Sequence, residues 1–168
     1  EILGTLANLC LDLGRYERAQ SALDEVERLC RETGETIFAI PILQTRAKIA
    51  TQTGDLMRAQ GMLEEALGLQ EASGSPAHRA SLCRDLGLVL DLEENFEESS
   101  MRLVQAVDAS RETGDRAEEV SLLQNLGRVR ERRGEFDLSL ASLEEAAEIA
   151  EQIGDESLTE KVRGGRGF

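Results

Sequence analysis

The stretch Gly114–Gly154, GDRAEEVSLLQNLGRVRERRGEFDLSLASLEEAAEIAEQIG, decides the fold. Gly134 divides it into two amphipathic segments, and a glycine closes each end. In the first segment Leu123, Leu126 and Gly127 fall on one helical face. In the second, Phe136, Ser139, Leu143 and Ala146 do the same, because steps of three and four residues keep side chains on one side of a helix. The stretch then repeats. Gly34, Gly74, Gly114 and Gly154 are 40 residues apart, and so are Gly14 and Gly54, with Gly134 two periods further on. Glu94 fills the one missing place in that series. A fixed period of this size marks stacked helical repeats, each too small to bury its own apolar face.

The columns extend through the chain. In the second helix of each repeat, here helix B, Tyr16, Leu56, Phe96 and Phe136 align. So do Ala19, Ala59, Ser99 and Ser139, then Leu23, Leu63, Leu103 and Leu143, then Val26, Ala66, Ala106 and Ala146. In helix A the columns are Leu3, Leu43, Cys83 and Leu123; Leu6, Arg46, Leu86 and Leu126; and Ala7, Ala47, Gly87 and Gly127. Glycine inside a helix is less favourable than alanine by about 1 kcal/mol. Two in one column predict a close helix crossing. The glycines between helices suit the left-handed residue just past a helix end. At Glu94 the neighbouring Asn95 is expected to take that conformation. Ser75-Pro76 predicts a helix start. Pro41 requires helix A of the second repeat to begin near Phe38 or to lose a hydrogen bond.

These readings predict an all-α superhelix of about four helix-turn-helix repeats. Their boundaries are 1–34, 35–74, 75–114 and 115–154. Residues 156–163 are expected to form a short capping helix and 164–168 a disordered tail.

Composition narrows the function. The 168 residues carry a net charge of −14 and only 3% aromatics. Phosphate backbones and anionic membrane surfaces repel such a chain, so neither nucleic acid nor membrane is an expected partner. No signal peptide or long apolar run appears. Cys10, Cys30 and Cys83 lie in apolar columns without metal spacing, which suits buried free thiols and a cytoplasmic protein. No phosphate loop, nucleophile elbow or zinc-spaced histidine pair occurs, and His78 is the single histidine. Adjacent pairs such as Glu64-Glu65, Glu97-Glu98 and Glu144-Glu145 splay around helix B and make no acid/base dyad. The expectation is a protein with no catalytic residues, metal or cofactor.

Leu123, Leu126-Gly127, Gly134, Phe136, Ser139, Leu143 and Ala146 resemble the tetratricopeptide repeat pattern. The resemblance covers residues 1 to about 155, with repeats six residues longer than the ordinary 34. The 40-residue form, with Gly-Asp at a junction and Asn-Leu-Gly in helix A, is similar to Leu-Gly-Asn-repeat polarity adaptors. It also resembles arrays in bacterial regulators such as signal-transduction ATPases and repeat-fused kinases. It departs at Arg46 and Arg130, which replace apolar residues.

The resemblance implies that A helices line a concave groove and B helices the convex outside. Taken as 15–33, 55–73, 93–113 and 135–153, the B segments sum to −14. The A segments 1–13, 36–53, 76–92 and 116–133 sum to +2. The predicted groove residues are Thr5, Asn8, Gln44, Thr45, Lys48, Arg84, Gln124, Asn125, Arg128 and Arg132. Amides can both donate to and accept from an extended backbone, and arginines grip carboxylates. The expected function is a protein-interaction scaffold that binds an acidic peptide segment of a partner. The alternative is a regulatory or oligomerisation segment of a larger signalling protein, an ATPase, kinase or transcription regulator, with a homo-oligomer as one form.

Overall fold

A computed structural model describes residues 5–6, 9–11, 13–34, 38–73 and 78–154. The expected capping helix, the tail and Ser75-Pro76 lie outside them. The chain divides into two compact units, residues 1–78 and 79–168.

The first unit contains α1 (Tyr16–Thr33), α2 (Ala39–Gln52) and α3 (Leu56–Ser73), preceded by helical residues at 9–11. The second contains α4 (Arg79–Leu92), α5 (Phe96–Thr113), α6 (Arg116–Arg132) and α7 (Phe136–Ile153). In the terms used above, α2, α4 and α6 are A helices, and α1, α3, α5 and α7 are B helices. Each A helix packs on the B helix that follows it, and in the second unit α5 also packs on α6.

The turns between A and B share one hydrogen-bond pattern. The Gly14 amide donates to the Leu11 carbonyl and the Arg15 amide to that of Cys10. The same pair recurs at Gly54/Asp55, Glu94/Asn95 and Gly134/Glu135. This is the Schellman closure, which satisfies carbonyls at a helix end and needs a left-handed residue. In the third repeat Glu94 takes that role itself, at φ 61°, while Asn95 has φ −84°. The expectation that Asn95 would be left-handed is therefore corrected. The closure sets the position of the left-handed residue relative to the hydrogen bonds, so a side chain occurring there is forced into it. Asn95 instead precedes α5, and its side-chain amide donates to Glu98 at 3.1 Å.

Pro41 is accommodated by a late start. α2 begins at Ala39, so Pro41 lies in the first turn, where its missing N–H would have had no partner within the helix.

The small-residue columns make the crossings close. Ala19, Ala59 and Ser99 are fully buried. A methyl group added at Gly87 would meet Leu103 Cγ at 2.9 Å and the Ser99 carbonyl at 3.3 Å. One added at Gly127 would meet Leu143 Cγ at 3.0 Å. The Ser99 hydroxyl donates to the Gly87 carbonyl at 2.7 Å, so the crossing is also hydrogen-bonded. Beside it, Leu103, Leu126 and Val129 form a buried cluster against which Phe96 packs.

Candidate functional site: the A-helix face of the second unit

In the second unit the predicted face is carried by α4 and α6. Gln124, Asn125 and Arg128 lie within one turn of α6. Gln124 and Asn125 are half-buried, and the Arg128 side chain is 53% exposed. Neither amide side chain hydrogen-bonds to another described residue.

The arginines are less available than their sequence suggests. Arg132 donates from Nη1 to the Asp91 carboxylate at 2.7 Å and to the Asp91 main-chain carbonyl at 3.2 Å. Its guanidinium also lies over the Phe96 ring, 4.5 Å from the centroid. Such a cation–π contact adds roughly 0.5–1 kcal/mol at exposed sites and more where desolvated. Arg128 is the second cation of Asp91, at 3.7 Å. Asp91 is almost wholly buried at 4% exposure, so this pairing is what allows a carboxylate there. Arg84 is divided between Asp85 at 3.1 Å and Glu118 at 3.0 Å. The expected positive track is thus interleaved with Asp85, Asp91 and Glu118. Charge sums over whole helices conceal this, because Asp91 and Arg132 stand 41 residues apart and meet only when α4 and α6 are neighbours.

In the first unit the predicted residues fall on α2 and before α1. Lys48 and Thr5 are exposed, and Gln44 and Thr45 are half-buried. The Thr45 hydroxyl donates to the Pro41 carbonyl at 2.9 Å, a bond within its own helix. Asn8 lies outside the described residues.

The two arginines that break the apolar columns are both engaged. Arg130 donates to the Ser142 hydroxyl at 2.6 Å and the Leu138 carbonyl at 3.3 Å, both on α7. Arg46 stands where Leu86 and Leu126 are buried in the second unit. It reaches α1, donating to Asp24 at 2.7 Å and Glu27 at 2.8 Å. Burial opposes its charge, but the bonds to Glu27 and Asp24 outweigh that and raise its pKa. Beside it opens a cleft of about 320 Å³ lined by Cys30, Ala39, Ile42, Leu43 and Leu69. Sequence reasoning missed this cleft; a charged residue in an apolar column was its one signal. Cys10 and Cys83 are buried, Cys30 is half-buried, and all three are free thiols. Among the described residues no group of three His, Cys, Asp or Glu could hold a metal ion, and no helix is long and apolar enough to cross a membrane.

Comparison with known proteins agrees with this architecture. Family models described as tetratricopeptide repeat match residues 77–152 and 1–33. No curated protein sequence matches the chain. Among solved structures, BtubC (BKLC) from P. vanneervenii is similar with a TM-score of 0.81 and 23% identity, over 91% of this chain and 63% of that one. Aspartyl phosphate phosphatase F from Bacillus subtilis gives a TM-score of 0.85 at 12% identity, over 96% and 42%. A signal transduction ATPase with numerous domains and a tetratricopeptide repeat sensor, from Pyrococcus horikoshii, gives 0.80 at 14% identity, over 96% and 25%. The chain thus spans less than two thirds of each of these structures. At these identities the likeness is one of fold.

Proposed function

The chain belongs to the tetratricopeptide repeat family, and we propose that it is a non-catalytic module that binds an extended, carboxylate-bearing peptide on the A-helix face of its second unit. A fold of this family is in general a protein-interaction scaffold. The observation that carries the finer reading is the grouping of Gln124, Asn125 and Arg128 on one turn of α6, with two unengaged amides beside a half-exposed guanidinium. An extended peptide has donors and acceptors along its main chain that amides can meet. Arg84 and Arg132 are already held by carboxylates, so recognition of a ligand carboxylate falls chiefly to Arg128, whose contact with Asp91 at 3.7 Å is the longest in the cluster. A ligand carboxylate would exchange that long contact for a bidentate one.

Fluorescence anisotropy with a labelled Asp/Glu-containing peptide, and the same peptide with Asn/Gln replacements, tests this. The acidic peptide is expected to bind more tightly, and Asn125→Ala with Arg128→Glu to weaken it at least tenfold. This follows from roughly 1.5–3 kcal/mol for a hydrogen bond to a charged group. Absence of binding, or equal affinity for the two peptides and the two proteins, would overturn the reading.

A further inference from the structure

The second unit fills a groove that the first leaves open, and we propose that the open one receives an arginine side chain of a partner protein. In the second unit the filler is Arg130. It extends from α6 to the start of α7, where its Nη1 donates to the Ser142 hydroxyl at 2.6 Å and the Leu138 carbonyl at 3.3 Å. Close by in sequence, Arg133 pairs with Glu135 at 3.1 Å.

Two repeats earlier the same positions hold different residues. Ala50 stands in the place of Arg130, Arg58 in that of Leu138 and Met62 in that of Ser142. Alanine is too short to reach from α2 to α3 as Arg130 reaches from α6 to α7. A groove of about 390 Å³ opens there, with Ala50, Arg58 and Met62 all in its lining. Ile49 and Ala50 are buried beneath it, and Gln20 and Asp24 line it from α1. The whole lining belongs to the first unit and shares no residue with the peptide face proposed above.

The charges differ along with the shape. Thr53 stands where Arg133 does, so Asp55, the counterpart of Glu135, lacks that cation. The Asp55 carboxylate accepts the Arg58 main-chain amide at 3.3 Å and meets no cation among the described residues. Asp24 adds a carboxylate where the second unit has Val104. Two guanidinium groups also line the groove. Arg46 is held by Asp24 at 2.7 Å and Glu27 at 2.8 Å. Arg58 is exposed and pairs with no carboxylate among the described residues. Asp24, Glu27 and Asp55 therefore outnumber Arg46 and Arg58 by one, and a guanidinium brings the cluster to neutrality.

The acceptors suit a guanidinium as well. The Thr53 hydroxyl donates to the Ile49 and Ala50 carbonyls, which leaves its oxygen to accept. With Asp55 and the Arg58 carbonyl it offers a planar, five-donor head group what Ser142 and Leu138 offer Arg130. The aliphatic stem of the incoming arginine lies on Ile49, Ala50 and Met62. An anion fits less well, because Arg58 is the one unengaged cation and Asp24 and Asp55 face the same space. Free arginine would bring its own carboxylate and ammonium to a groove whose filled counterpart takes a side chain alone.

The probe is N-acetyl-arginine N-methylamide, an arginine side chain without terminal charges. Followed by amide chemical shifts of the full chain, it is expected to shift resonances between Ala50 and Met62 saturably. The uncharged citrulline analogue should bind roughly fivefold more weakly, as for loss of a partly exposed ion pair. Asp55→Asn keeps an acceptor for the Arg58 amide and should weaken the arginine probe to a similar extent. Ala50→Arg supplies the side chain from within, and should abolish binding while keeping or raising the urea midpoint. Absence of saturable shifts overturns the proposal, as does equal binding of the two analogues or of the probe to the Asp55→Asn chain. Acetate that shifts the same amides and competes with the probe overturns it in favour of an anion site. Free L-arginine binding more tightly than the blocked form overturns it in favour of a small-molecule site.

Discussion

Phe96 and Phe136 occupy the same place in the repeat and have different fates. Phe96 is capped by a guanidinium and packed against three buried aliphatic side chains; Phe136 is 68% exposed. The segments around them are close to interchangeable in pattern, so the difference comes from the neighbour. α5 has α6 against it, and α7 has no equivalent among the described residues. In a repeat protein a side chain's energetic weight is set largely by the adjoining repeat, because each unit contacts only its neighbours.

Truncation at equivalent positions exposes that contrast most strongly. Leu103→Ala removes a fully buried side chain from the Leu126 and Val129 cluster and is expected to lower stability by about 3 kcal/mol. Leu143→Ala, on the less covered helix, should cost roughly 1 kcal/mol, since less area leaves the core. Urea unfolding of the two variants measures both, and equal losses would show that the coverage of α5 and α7 does not differ in energy.

The acids come next. Asp91→Ala leaves Arg132 with its carbonyl and ring contacts only and should cost about 2 kcal/mol, within the range for breaking a buried charged bond and reduced by the arginine's own exposure. Glu131→Ala should stay within about 0.5 kcal/mol, as at an ordinary surface site.

The smallest effect sharpens the comparison from within the covered repeat. Glu94 is left-handed where the other three A–B turns carry glycine, and it touches the same turn that presents Asp91. Glu94→Gly should raise the urea midpoint by an amount equivalent to roughly 1 kcal/mol, by relieving the left-handed strain of a side-chain-bearing residue. A loss of stability instead would mean that the Glu94 side chain holds the turn.

Much of this architecture is legible in the residues alone. A 40-residue period places the glycine turns, steps of three and four place the buried faces, and glycine at 87 and 127 announces the close crossings, because these depend on local backbone geometry and on which side chains share a helical face. The late start of α2 follows from Pro41 for the same reason. The candidate site is less legible. Arg128 and Arg132 read as a positive track until Asp91 is brought beneath them, and Arg84 until Glu118 and Asp85 meet it. Asn95 appeared the natural left-handed residue, but the closure hydrogen bonds select Glu94.

The sequence by itself determined the repeat, its helices, its apolar columns and its family, since periodicity is a property of the chain in one dimension. Only the tertiary structure decided which arginines are already neutralised. Coulomb interactions and burial depend on separations between residues dozens of positions apart, and those separations exist only once one helix lies against the next.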